Sequence, residues 1–404
     1  MTTPVSTSNS EAASGLPKRG GSVFGVNEVR LNARQWGIAA ILVVTFALAA
    51  PRIWKKVEPL QAGADYRVPY ALSKDYWLWQ RRLEQAPAAS IPILGDSVVW
   101  GEYVRPDGTL SHFLNAQEEA PQFVNCGVNG LFPLALVGLV SGYGGELKNR
   151  KVIVQCNLLW LTSPQVDLSA PTEQRFNHSR LVPQFDENLR CYRADASERF
   201  SACLDRRVSF YSWVQHLQIA YFDQRSLPQW TLEDDGNIPP KYVNAWRNPW
   251  TAVAAGIPGE PANDPQRGPT SRRHKAWNTD GAEPTHFEWV GLWQSKQWGA
   301  FEQLVHELHE QGNDVLVILG PFNTHMVAPE QRETYEVLRA GVTNGLARDA
   351  TVVQPEVLPS ELYADASHPL TEGYEMLARR LWGDEGFRKW VGEGRVLSGR
   401  AGGK

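Results

Sequence analysis

IPILGDSVVWG, Ile91 to Gly101, is the stretch from which the fold follows. Ile91 to Leu94 is apolar throughout and stops abruptly at Gly95, the pattern of a short strand buried on both faces. Asp96 and Ser97 then fall on a strand-to-helix turn, which holds a serine hydroxyl at the carboxyl edge of a sheet. Open α/β folds carry their chemistry at that edge. Three small turn-formers are also what any tight loop uses, so the reading depends on the rest of the chain.

The pattern repeats outward from this point. Phe123 to Asn125, Lys151 to Gln155, Asp314 to Leu319 and Thr351 to Gln354 read as four more short apolar strands. Helical stretches lie between them, at about Thr109 to Glu118, Leu131 to Leu147 and Pro329 to Arg348, and Gly373 to Trp382 continues into a last helix. In the helix before Asp314, Trp298, Phe301, Leu304, Val305 and Leu308 recur at helical spacing, and Gly312 supplies the stop. Strands alternating with helices predict a parallel sheet covered on both faces, with right-handed crossovers. Between the third and fourth strands, about Thr162 to Gln294 is far longer than an ordinary connection and must carry structure or function of its own. It holds Trp213, Trp230, Trp246, Trp250, Trp277, Trp289 and Trp293, and Val208 to Phe222 reads as a helix within it. Leaving from a strand's carboxyl end, the insertion is expected to hang over Ser97. Its aromatic rings either stack on sugar faces or pack a lid.

The first strand is preceded by three segments. Residues 1–34 form a Ser-, Gly- and Ala-rich tail that cannot bury a core, residues 35–54 a candidate transmembrane signal anchor, and residues 55–90 a connector. The 17 residues from Gln35 to Pro51 carry no charge, and Trp36 and Trp54 flank them as interfacial anchors do. Ala47-Leu48-Ala49 would also fit a signal-peptidase site, but the long tail before it favours an anchor. Basic residues leave orientation open, with Lys18, Arg19, Arg30 and Arg34 before the span balanced by Arg52, Lys55, Lys56 and Arg67 after it. The 404-residue chain has a formal net charge of −4 and shows neither a basic stripe, a Walker loop nor zinc-type spacing, which argues against nucleic acid, nucleotide and metal. Four cysteines are too few for a disulfide scaffold. Cys126 and Cys156 are expected to be free and buried, whereas Cys191 and Cys203 are expected to pair in an oxidising compartment.

A serine nucleophile needs a base, an orienter for the base and oxyanion donors. DASHPLTEGY, Asp365 to Tyr374, offers Asp365 to hold the imidazole Nδ1–H of His368, leaving Nε2 for Ser97. The oxyanion donors are expected to be the Ser97 N–H, the Gly130 N–H at the end of VNCGVNG and the Asn157 side-chain amide. Asn323 and His325, in GPFNTHM after the fourth strand, sit on the same edge as candidate substrate-binding groups. His325 is also a rival base, disfavoured because no carboxylate stands at matching spacing.

These four blocks, Ser97 in GDS, Gly130 in NCGVNG, Asn157 in QCNLLW and His368 in DASHP, resemble the SGNH (GDSL-like) hydrolase superfamily. The resemblance covers about Ile91 to Gly145, Lys151 to Trp160 and Asp314 to Trp382 and skips the insertion. It differs in Val98, where leucine is usual, and in the residue after Asn157, where aspartate is usual. It implies a flavodoxin-like three-layer α/β/α sandwich over residues 91–394, with strand order 2-1-3-4-5, the insertion at about 162–294, and a C-terminal tail at 395–404. It implies ester hydrolysis or acyl transfer without a cofactor. With a single N-terminal anchor, the chain looks like membrane-bound members that modify acylated glycans outside the cytoplasm. The reading from another class is a catalytically silent glycan-binding protein on the same scaffold.

Overall fold

The structure, a computed structural model, describes residues 31–60, 62–116, 122–172, 177–186, 189, 192–232, 247–258 and 274–393. Five parallel strands, β1 (Ile91–Gly95), β2 (Phe123–Gly127), β3 (Lys151–Cys156), β4 (Asp314–Leu319) and β5 (Thr351–Val353), form one sheet in the order β2-β1-β3-β4-β5. This is the expected order, and it leaves β1 flanked on both sides.

The strands read as unbroken apolar runs because alternate residues feed two different cores. Leu94, Val124, Val152, Val154, Val315 and Val317 face one side, with the helices Tyr76–Gln85, Pro133–Tyr143, Lys296–Glu310 and Arg332–Leu346. Ile91, Ile93, Phe123, Ile153, Leu316 and Ile318 face the other, with Leu110–Asn115, Thr371–Gly383 and Glu385–Glu393. Helix Lys296–Glu310 buries the predicted stripe, with Phe301, Leu304, Val305 and Leu308 fully enclosed. Each such side chain contributes about 1.5–3 kcal/mol of burial. Ser295 caps this helix by accepting from the Trp298 N–H at 2.9 Å. Asp167 accepts from the Gln297 N–H at 3.1 Å and from the Ser295 hydroxyl, so an insertion carboxylate sits at the positive end of a core helix.

Two expectations change. The 55–90 connector contains the helix Tyr76–Gln85, whose Trp77, Leu78, Trp79 and Leu83 are buried in the main body. Among its described residues the insertion contains the helices Ala196–Arg207, Ser209–Tyr221, Leu227–Leu232 and Pro249–Ala254, the second of them matching the expected helix at Val208 to Phe222. Cys203 has a free thiol instead of a bridge, and Cys191, like Trp246, lies outside the described residues. Cys126 and Cys156 are free and buried as expected, and burial pushes the Cys126 thiol up to about 12.

The chain divides at Ala47 and Leu48 into two units. The apolar segment belongs to a 25-residue helix, Ala33–Val57, about 37 Å long at 1.5 Å per residue and so sufficient for a bilayer core of about 30 Å. Among the described residues it is the one helix long and apolar enough to cross a membrane. Ile41, Leu42, Val43 and Phe46 are 67, 64, 66 and 58% exposed, which a soluble core helix would not permit.

Within the second unit a buried ionic cluster ties the end of this helix to the main body. His216, with no exposed surface, bonds Asp75 Oδ2 through Nδ1 and Glu58 Oε1 through Nε2, each at 2.7 Å. Arg81 and the Tyr221 hydroxyl also donate to Glu58, and Trp77 stacks on the imidazole at 6.2 Å. Burial pulls the His216 pKa down, but the Asp75 and Glu58 carboxylates outweigh it and raise the value to about 9. A histidine raised from 6.5 to about 9 stabilises the fold fully below pH 6.5 and ceases to as pH rises through 9. The linked stability is about 3 kcal/mol. The melting temperature of the wild type is therefore expected to fall steeply between about pH 6.5 and 9. His216→Leu should unfold at lower temperature at neutral pH and lose less across the same range.

Candidate active site

β1 ends in the turn that carries Ser97. Asp96 caps the one-turn helix Ser97–Trp100 by accepting from the Val98 N–H at 2.8 Å, and Gly101 closes it in the left-handed region at φ 91°. The turn is held from outside by buried Arg67, which donates to the carbonyls of Trp100 (2.9 Å), Gly101 (2.6 Å) and Val104 (2.9 Å). Its guanidinium lies 4.0 Å from the Trp100 ring centroid. The loops after β1 and β2 run side by side, with Gly95 paired to Gly127 and the Val128 N–H donating to the Gly95 carbonyl at 3.1 Å. A Cβ on Gly127 would stand 2.4 Å from the Trp100 nitrogen, so glycine is what permits this approach.

The loop before the helix Thr371–Gly383 brings His368 to Ser97. His368 Nε2 lies 2.7 Å from Ser97 Oγ, although 271 residues separate them. Asp365 lies 2.7 and 2.8 Å from His368 Nδ1 and accepts from the N–H groups of Ser367 (2.9 Å) and His368 (3.0 Å). A carboxylate only accepts, so Nδ1 carries the proton and Nε2 is free to accept from the serine hydroxyl. Burial works against charge on His368, but the attraction of Asp365 outweighs it and raises the imidazole above 6.5. Asp365 is correspondingly held below the usual carboxylate range, burial notwithstanding. Its side chain keeps 37% exposure, so water screens part of that attraction.

Asn157 stands against Asp96, the neighbour of Ser97, and is already half committed. Its Oδ1 accepts from the Leu159 N–H at 3.0 Å, and its Nδ2 donates to Asp96 Oδ2 at 2.9 Å, where the Trp160 indole also donates at 3.0 Å. Neither bond uses the second amide hydrogen, and the residue is wholly buried. Asp96 is buried, which raises its carboxyl above the ordinary value despite these donors. Gly130 adopts φ 72°, and a Cβ there would fall 2.2 Å from Asn177 Nδ2. Among the described residues its N–H has no hydrogen-bond partner.

The candidate pocket residues fare differently. Asn323 is wholly buried, with its N–H donating to the Ala366 carbonyl at 2.8 Å and its Nδ2 to the Asp365 carbonyl at 3.1 Å. It braces the Asp365 loop, and its Oδ1 is buried without a partner among the described residues. His325 is exposed and bonds the Leu358 carbonyl at 3.1 Å, while Ser97 is paired with His368. Two residues absent from the sequence reading lie at the site. Tyr103, at a strained φ of 64°, meets the His368 ring edge-on at 5.5 Å, and His274 of the insertion lies tilted against the Tyr103 ring at 4.2 Å. The insertion's tryptophans are dispersed. Trp213 packs on Trp54 (6.0 Å), Trp230 on Phe222 (5.0 Å) and Trp289 on Phe287 (5.1 Å), while the Trp277 indole donates to the Ser360 carbonyl at 3.1 Å. Among the described residues these four pack against separate partners, while Trp250 and Trp293 are exposed. Neither a protein-family model nor a curated protein matches this chain.

Proposed function

We propose that the chain is a membrane-anchored serine esterase or O-acyltransferase, acting on ester-linked acyl groups of an extracytoplasmic carbohydrate. The observation that carries the chemistry is the Ser97–His368–Asp365 chain of hydrogen bonds at 2.7 and 2.7 Å. In the first half-reaction Ser97 Oγ attacks the acyl carbonyl and His368 Nε2 takes the hydroxyl proton. The Ser97 and Gly130 N–H groups and the Asn157 amide bear the oxyanion. Collapse breaks the ester bond, and the alcohol leaves with the proton from His368. Water or a second hydroxyl then attacks the acyl-serine, giving up its proton to His368, and regenerates Ser97. Asp365 stays ionised and stabilises the transient imidazolium.

The membrane part of this reading rests on the exposed apolar helix Ala33–Val57, and the packing of Trp54 against Trp213 (6.0 Å) and Tyr221 (6.2 Å) links its end to the insertion. The carbohydrate acceptor is carried over from the resemblance of the four sequence blocks and their N-terminal anchor. A fluorophosphonate probe tests the chemistry, because it reacts only with an activated serine. Labelling of the wild type that disappears in Ser97→Ala is the expected result, and equal labelling of both would overturn the reading. Release of acid from short acyl esters, with and without an oligosaccharide acceptor, then separates hydrolysis from transfer.

A further inference from the structure

We propose that His178 is a positioning residue of the oxyanion site, fixing the plane of the Asn129–Gly130 peptide and so aiming the Gly130 N–H. This rests on the serine-hydrolase reading, because an oxyanion donor has a role only if Ser97 attacks a carbonyl.

His178 belongs to the insertion, yet its Nε2 lies 2.8 Å from the Asn129 carbonyl oxygen. A carbonyl only accepts, so Nε2 carries the hydrogen. On the other side of the ring, Nδ1 lies 3.0 Å from the Tyr76 hydroxyl. The neutral ring leaves Nδ1 bare, and the Tyr76 O–H donates to it. Burial drives the His178 pKa down to about 4, so the ring is neutral at working pH and this tautomer is the one held. Tyr76 is itself buried in the helix Tyr76–Gln85, so the relay is anchored in the core.

A trans peptide is planar, and its carbonyl and N–H point in opposite directions. Fixing the Asn129 oxygen against His178 therefore fixes the Gly130 N–H pointing away from His178. Gly130 needs such a hold more than another residue would. At φ 72° and without a Cβ it moves between backbone regions with little steric resistance. Among the described residues its N–H has no partner to keep it in place. A flip of this one peptide would exchange a donor for a carbonyl oxygen at the point where negative charge develops. It would also strand a buried imidazole N–H. His178 adopts φ 57°, a region that L-residues enter at some cost, so its own backbone is constrained to present the ring this way.

The test uses the full-length chain in detergent, with p-nitrophenyl acetate as substrate and phenylboronic acid as the probe of the tetrahedral state. In His178→Leu, kcat is expected to fall about 10- to 100-fold with KM within twofold, less than or equal to the loss of a donor itself. Boronate affinity should fall by a similar factor. His178→Gln, whose amide can reach the same carbonyl, should recover most of both. Tyr76→Phe should lose less, since the carbonyl bond survives and only the tautomer is freed. If His178→Leu folds poorly, the Gln and Tyr76→Phe variants carry the comparison. The proposal is overturned if His178→Leu keeps kcat within threefold. It is also overturned if His178→Gln melts like the wild type but is as slow as His178→Leu. An active, Ser97-dependent wild type with either of these results leaves the hydrolase reading standing. A wild type with no Ser97-dependent hydrolysis and no boronate binding removes that reading and the proposal with it.

Discussion

Ser97→Ala and His368→Ala are each expected to lower kcat by about 10⁴-fold or more, and the double variant to be little worse than either, because the pair acts as a unit. Ser97→Ala removes one hydroxyl from a half-buried turn whose shape is set by Asp96 and Arg67, so stability should shift by no more than about 0.5 kcal/mol. Asp365→Asn should cost less than either. Its oxygen would still accept from the Ser367 and His368 N–H groups, but its NH₂ would face Nδ1 and favour the tautomer in which Nε2 cannot accept from Ser97. The pH profile supplies an independent check. His368 must be neutral to take the proton, and its pKa lies above 6.5, so kcat/KM should rise with pH through a limb centred above 6.5. Removing the Asp365 charge should move that limb to lower pH. Ester hydrolysis persisting in both Ser97→Ala and His368→Ala would end the proposed mechanism.

What was legible in the sequence follows from the range of the interactions involved. The strands could be read because each is apolar on both faces, a local property of five or six consecutive residues. Asp365 and His368 could be read because a three-residue spacing places carboxylate and imidazole in contact within one turn. The helix Tyr76–Gln85 could not, because Arg81 and Arg82 interrupt its apolar pattern. Both are buried, and Arg81 is tolerated there because Glu58 lies against it, a partner 23 residues away. The contacts of Asn323 were illegible for a related reason. Its position after β4 is that of a pocket residue, but the Asp365 loop folds over it and takes both of its donors. Tyr103, His178 and His274 have no sequence signal. Each reaches the site through a contact with a distant segment, and the insertion supplies two of the three.

Asn157→Ala is the substitution on which the oxyanion assignment turns, and it should be visible in two measurements. If the uncommitted Nδ2 hydrogen meets the developing negative charge, kcat should fall about 10²- to 10³-fold with KM little changed, since the interaction strengthens only in the transition state. The same amide donates to Asp96 Oδ2, leaving the Trp160 indole as the donor to that oxygen in the variant. Burial already raises the Asp96 pKa, so ionised Asp96 opposes folding more as pH rises above its unfolded value of about 3.8. Losing a donor increases that penalty. The melting temperature of Asn157→Ala relative to wild type should therefore fall further at pH 8 than at pH 4. The two readouts are separable. A structural role alone would reproduce the pH-dependent loss of stability while kcat, measured well below the melting temperature, stayed within a few-fold of wild type. A rise in KM at constant kcat would assign the amide to ground-state binding instead and leave the Ser97 and Gly130 N–H groups to carry the oxyanion.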